Sequence, residues 1–359
     1  MRLSEADLDH LLEGALFTSC SVSHEWCEEL RDTALEYMRA GAPGPELLDI
    51  SAFEDTDLIA TIGFVNKGQP VTELRPVGDE FVTCLELLAE AVGRPVRGIM
   101  PLAGGNANVL LAMAISVQTG LPVVDADPMG RIFPLVNQTV FTLAGLPVGP
   151  VAAAGALGES AVLQISRPER ADHVLRSLAD EFGGWVATAS YPMDAATAAT
   201  SALLGSLSQL ISIGSLLRSP LPSAQKHAAL RRLAGVKQVV RAEVAQAGWH
   251  AHPSLPGQVK FPSQVILNDL AQGRVVQLQV ENEILMLMID GSVRASMPDI
   301  ITLMDPESGA VLSLEHLWPG NVVDVVVLPA APAWYTPEGL ALAGPEAFGL
   351  GTHRREGRR

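Results

Sequence analysis

Cysteine is nearly absent: Cys20, Cys27 and Cys84 are the three in 359 residues. An odd, sparse set builds no disulfide framework, which suits a reducing compartment. Basic side chains are scarce as well, with 24 Lys and Arg against 40 Asp and Glu, for a formal charge of −16. That balance opposes phosphate backbones and anionic lipid, so neither nucleic acid nor membrane is expected as a partner. The opening MRLSEADLDHLLEGALF lacks a basic segment leading an apolar run to a small-residue cleavage site. The apolar stretch 195–217 is interrupted by Thr, Ser, Gly and Gln and reads as one long buried helix. No signal peptide and no membrane span are expected, and a cytoplasmic location follows. Internal repeats and low-complexity tracts are lacking too.

What is present is a composition of 48% hydrophobic residues, enough for a large core and long enough for two domains. Ser4 to Asp7 resembles a capping box ahead of Leu8, Leu11, Leu12, Ala15 and Leu16, the spacing of one helix face. A second helix is expected over 23–40. Strands at 58–65, 96–100 and 121–125 then alternate with helices over 81–92 and 106–119, each closed by a glycine. That order predicts an α/β, Rossmann-like parallel-sheet domain over residues 1–166. A strand at 162–166 closes that domain, and helices at 173–182, 195–217 and 223–234 lead into strand-like runs at 238–244, 258–268, 275–289, 300–304 and 322–328. A β-rich α+β domain is expected over 167–350, with Asp290-Gly291 as a turn and 351–359 as a disordered basic tail.

Candidate chemistry gathers where strands end. Pro101-Leu-Ala-Gly104-Gly105-Asn106-Ala-Asn108 is a glycine turn opening a helix, whose free N–H groups suit a carbonyl, carboxylate or phosphate oxygen. It matches neither GxGxxG nor a P-loop, and it reads equally as a plain turn with an Asn cap. In Asp125-Ala-Asp127-Pro-Met-Gly-Arg131 two carboxylates lie one residue apart at a strand end, placed to share a metal or a proton, with Arg131 able to grip a carboxylate. An Asp-Pro turn paired to Arg131 is the alternative. Cys20, His24 and Cys27 fall at helical spacing and His250-Ala-His252 at strand spacing, each too few for a metal site of its own. Glu281-Asn282-Glu283 interrupts an apolar run, either as a surface bulge or as part of a site.

Taken in order, these segments resemble the S-methyl thiohydantoin desulfurase family, often found beside or fused to hydantoinase/oxoprolinase proteins. The resemblance is carried by Pro45 to Leu48, Gly63-Phe64 with Pro70-Val71, Gly78 to Glu80, Gly105 to Asn108, Leu121 to Pro134 and Thr139 to Phe141. It continues through Glu281 to Glu283, Asp290-Gly291, Pro298 to Ile301, Gly320 to Val326, Trp334 to Pro337 and Gly344 to Gly349. It implies a swivelling β-rich second domain and hydrolytic chemistry on a cyclic ureide, thiohydantoin or related lactam. Such chemistry takes water at the carbon between two nitrogens, a base, and an acid for the leaving thiol. The resemblance casts Asp125 and Asp127 as base or ligands of a divalent metal. It casts Gly104, Gly105, Asn106, Asn108, Arg131 and Asn282 as substrate-binding, with Glu281 and Glu283 closing the site from the second domain.

The chain departs from the family where a glycine run ending in Asp is replaced by Thr18 to Ser23, and where Ala103 and Leu135 replace glutamates. Cys20 and His24 are then candidates for nucleophile and base, or for metal ligands. Two expectations follow. One is a homo-oligomeric enzyme with its small-molecule site at the sheet edge between the domains. The other is a member that has lost catalysis and binds a small molecule or assembles with a hydantoinase-like partner.

Overall fold

The computed structural model describes residues 1–18, 24–66, 76, 78–236, 238–248, 264–281 and 283–350. Among them the chain forms two compact units, one running to Pro220 and the other starting at Leu221. In the first, β1 (Leu47–Leu48), β2 (Leu58–Asn66), β3 (Val96–Pro101) and β4 (Val123–Val124) pair parallel in the order β1-β4-β3-β2. Strand β5 (Ala126–Asp127) follows, then β6 (Val151–Ala154), β7 (Ser160–Leu163), β8 (Trp185–Asp194) and β9 (Leu203–Leu204). The sheet continues antiparallel through β8, β6 and β7. This compact unit extends to Pro220 because β8 lies inside the sheet, bonded to β2 and β6.

Strand β2 is apolar almost throughout, as a strand covered on both faces must be. The helix Ala107–Thr119 that follows β3 is buried along nearly its whole length and ends at Gly120 in the left-handed conformation. The helix Glu5–Thr18 buries Leu8, Leu11, Leu12, Ala15 and Leu16, the face its spacing predicts.

The single helix expected over 195–217 is two helices, Ala195–Ser201 and Ser206–Arg218. Between them β9 pairs antiparallel with β5, and Gly205 turns the chain at φ 73°. That pairing brings the start of Ser206–Arg218 against the Asp125 to Asp127 segment.

In the second unit the helix Ser223–Ala234 precedes β10 (Gln238–Gly248), β11 (Gln264–Asp269), β12 (Val275–Val280), β13 (Ile284–Ile289), β14 (Ser292–Ser296), β15 (Ile300–Met304) and β16 (Val322–Leu328). They form an antiparallel sheet in the order β14-β13-β12-β11-β10-β16-β15. Alternate residues, including Val240, Ala242, Val265, Leu267, Val276, Leu278, Val323 and Val325, make one apolar core. The strand expected over 275–289 is a hairpin: Val280 faces Ile284, and Glu281 donates its N–H to the Glu283 carbonyl at 3.0 Å. Glu281 and Glu283 therefore break the apolar run because they lie where the hairpin turns. Asp290 and Gly291 supply the next turn, as expected, both at positive φ. Among the described residues no helix is long and apolar enough to cross a membrane.

Candidate active site

Asp127 is fully buried at the end of β5. Its Oδ1 accepts the backbone N–H groups of Met129 at 2.7 Å and Gly130 at 2.5 Å, closing the turn that Asp127-Pro128 begins. Its Oδ2 is buried with no hydrogen-bond partner among the described residues, and the Ser206 hydroxyl is in the same state. Burial pushes the Asp127 carboxyl above the ordinary carboxylate range. The Gly130 and Met129 N–H groups oppose that rise, as do the Ser206 hydroxyl and the Gly104 N–H, the last two from outside hydrogen-bond geometry.

Gly104 explains why the turn carries glycine here. A Cβ on it would lie 2.3 Å from Asp127 Oδ2, so only a bare Cα admits the carboxyl. The Gly104 carbonyl accepts the Thr18 hydroxyl at 3.1 Å, and a Cβ on Gly105 would lie 2.9 Å from that same Thr18 Oγ1. Asn106 adopts φ 56° and caps the helix Ala107–Thr119, its Oδ1 accepting the Ala107 N–H at 2.6 Å and the Cys27 thiol at 2.9 Å. Its own N–H donates to the Ala15 carbonyl at 3.2 Å. A non-glycine residue at positive φ beside a buried carboxyl is the kind of strain that concentrates at functional sites. Asn108 is buried in the same helix's first turn, and Gly63 on β2 leaves it room, since a Cβ there would lie 3.3 Å from Asn108 Oδ1.

The structure thus brings Gly104, Asp127 and Ser206 together and places Gly105, Asn106 and Asn108 on the adjoining turn. Asp125 is not shared with Asp127. Its Oδ1 accepts the Ser208 N–H at 2.9 Å and its Oδ2 the Ser208 hydroxyl, so it serves the start of the helix Ser206–Arg218. Arg131 is fully buried, its Nε donating to the Ile132 carbonyl at 3.0 Å and its guanidinium 4.9 Å from the Phe133 ring centre.

In the second unit Glu281 is exposed and Glu283 buried. Cys20, Asn282, His250, His252, the 351–359 tail and the side chain of His24 lie outside the described residues. Among those described, no three His, Cys, Asp or Glu side chains are grouped to hold a metal ion. Ser206 is the site residue that sequence reasoning missed; its only signal is the Gly205-Ser206 pair inside an otherwise helical stretch.

The second unit holds another buried carboxylate, Asp324 on β16, bonded by Arg241 Nε at 2.8 Å and Nη2 at 2.9 Å and by His227 Nε2 at 2.8 Å. Burial alone would raise its pKa, but these hydrogen bonds and the charges behind them bring it down to about 2.

A family model described as S-Me-THD-like, N-terminal domain, matches residues 6–165, and one described as S-Me-THD-like, C-terminal domain, matches residues 166–356. A solved crystal structure of a protein from Chromobacterium violaceum superposes with a TM-score of 0.78 at 20% identity, covering 98% of this chain and 97% of that one. At that identity the likeness is one of fold. No curated protein matches significantly.

Proposed function

This chain belongs to the S-Me-THD-like family, and on that premise we propose that it is a hydrolase acting on a cyclic ureide, thiohydantoin or related lactam. The observation that carries the reading is Asp127: a fully buried carboxyl with one oxygen unpartnered among the described residues, held toward its protonated form beside a glycine turn at the strand ends. A carboxyl in that state is suited to act as the acid. It gives its proton to the thiolate sulfur or ring nitrogen as the C–S or C–N bond breaks, and takes one back from the water that has added to the ring carbon. Asn108 and the N–H groups opening the helix Ala107–Thr119 are the donors for the ring carbonyl. Asp125 is left out of the chemistry because both its oxygens are engaged by Ser208.

The test is turnover of hydantoin, 2-thiohydantoin and S-methyl thiohydantoin by the full chain and by Asp127→Asn. Removal of a positioned acid should cost roughly a hundredfold or more in kcat. If the wild type consumes none of the three and none raises its Tm, the reading is lost.

A second reading, a binding or assembly partner of a hydantoinase-like protein, is favoured by Ala103. Where the resemblance leads to a glutamate, this chain buries a methyl group two residues beyond the end of β3. Co-purification with such a partner from the native host, together with an inert wild type, would support it.

A further inference from the structure

The segments 125–127 and 203–208 are locked together at several points. Strand β5 pairs with β9, Asp127 opposite Leu203, and the Asp125 carbonyl accepts the Gly205 N–H at 2.7 Å. The Asp125 carboxylate then takes the N–H and hydroxyl of Ser208. This fixes the first turn of Ser206–Arg218, so that Ser208 comes to Asp125 and Ser206 to Asp127. The two pairs differ in one respect. Asp125 and Ser208 are bonded, whereas Asp127 Oδ2 and Ser206 Oγ are both buried without a hydrogen-bond partner among the described residues.

Leaving a buried polar atom unpaired is costly. Two such atoms on facing residues are an arrangement that a single side-chain rotation can satisfy. We propose that Ser206 is a positioning residue for Asp127, its hydroxyl turning to hold Oδ2 in whichever protonation state the carboxyl occupies. A hydroxyl is the group that fits this task, because it accepts a hydrogen bond from the neutral acid and donates one to the carboxylate. Asp127 keeps Oδ1 on the Met129 and Gly130 N–H groups throughout, so only Oδ2 needs a partner that changes role. The inference rests on Asp127 being the acid of the site.

The experiment is infrared spectroscopy of the full chain, without ligand, prepared with aspartate carrying ¹³C in its side-chain carboxyl. The band that Asp127→Asn removes belongs to Asp127, whether neutral or ionised. In Ser206→Ala that band should shift, to higher wavenumber if the acid is neutral, and kcat on the cyclic-ureide panel should fall roughly tenfold at unchanged KM. Ser206→Thr should restore both. Ser208→Ala, in the same helix turn, should leave the Asp127 band in place. An unmoved band in Ser206→Ala, no rescue by Thr, or an equal shift in Ser208→Ala would each overturn the inference. Full turnover by Asp127→Asn would instead remove the acid reading, leaving the spectral result to judge Ser206 by itself.

Discussion

Asp125 stabilises a helix it does not belong to: its carboxylate receives the backbone N–H of Ser208, the third residue of Ser206–Arg218, at 2.9 Å. The helix's own cap position is Gly205, which offers no side chain, so Asp125 supplies the missing acceptor from a neighbouring strand end and complements the helix dipole. Asp125→Ala should therefore destabilise the fold by about 1 kcal/mol, up to roughly 2, the range for losing a cap. Asp125→Asn should recover most of that. Urea unfolding of both variants measures the effect, and kcat of Asp125→Asn within a few-fold of wild type would mark the residue as structural.

The same helix is held from its other side by a contact that tolerates no added atom. A Cβ on Gly214 would lie 1.7 Å from the His10 carbonyl oxygen, and one on Gly14 would lie 2.0 Å from the Leu210 carbonyl oxygen. Both obstacles are backbone, so the helices Glu5–Thr18 and Ser206–Arg218 must separate to admit a methyl group. Gly214→Ala should cost about 1–3 kcal/mol or more, the range for overpacking a core, despite the better helix propensity of alanine. Thermal unfolding of Gly214→Ala checks this. A variant as stable as wild type would mean that the crossing is looser than described.

Local pattern carried much of the fold. Ser223–Ala234, Ile300–Met304 and Val322–Leu328 coincide with the expected elements because each has a helical period or a largely apolar run between turn residues. Strand β6 (Val151–Ala154) went unmarked because alanine favours no strand, and its order comes from pairing with β7 and β8. The 195–217 stretch is apolar enough for one helix, and only its pairing with the distant Asp127 segment shows where it breaks. The site was legible to the same degree. The glycine turn and Asp127 stand out as residues, but the partners that divide Asp125 from Asp127 are serines remote in sequence, and no spacing rule connects them.

In the second unit Asp324 offers a stability test independent of the site. Its carboxylate, which ordinarily titrates near 3.8, is drawn to about 2 by Arg241 and His227 against the opposing effect of burial. A depressed native pKa stabilises the fold above the unfolded value, and that contribution disappears as pH falls through the native value. The contribution is about 2 kcal/mol at neutral pH and should be lost between roughly pH 4 and pH 2. Asp324→Asn should be less stable than wild type by about that amount at pH 7 and should lack this acid-dependent step. Denaturant unfolding of both proteins across that window decides it.

Asp127 has the opposite sign. Its pKa is raised in the native state, chiefly by burial, so between its unfolded and native values the native protein holds a proton that the unfolded chain has released. Stability from this group is complete below the unfolded value and declines as pH rises, until the native carboxyl also ionises. Asp127→Asn keeps an acceptor for the Met129 and Gly130 N–H groups and never ionises, so it lacks the decline. The stability difference between Asp127→Asn and wild type should therefore grow in favour of the variant as pH rises above the ordinary carboxylate range, then level off. Parallel unfolding titrations of the two proteins measure it. A difference that stays flat with pH would show that Asp127 is ionised in the native protein at its ordinary value, and would remove its role as a proton donor. Because the measurement needs no substrate, it tests the acid at the centre of the proposed function before any reaction has been found.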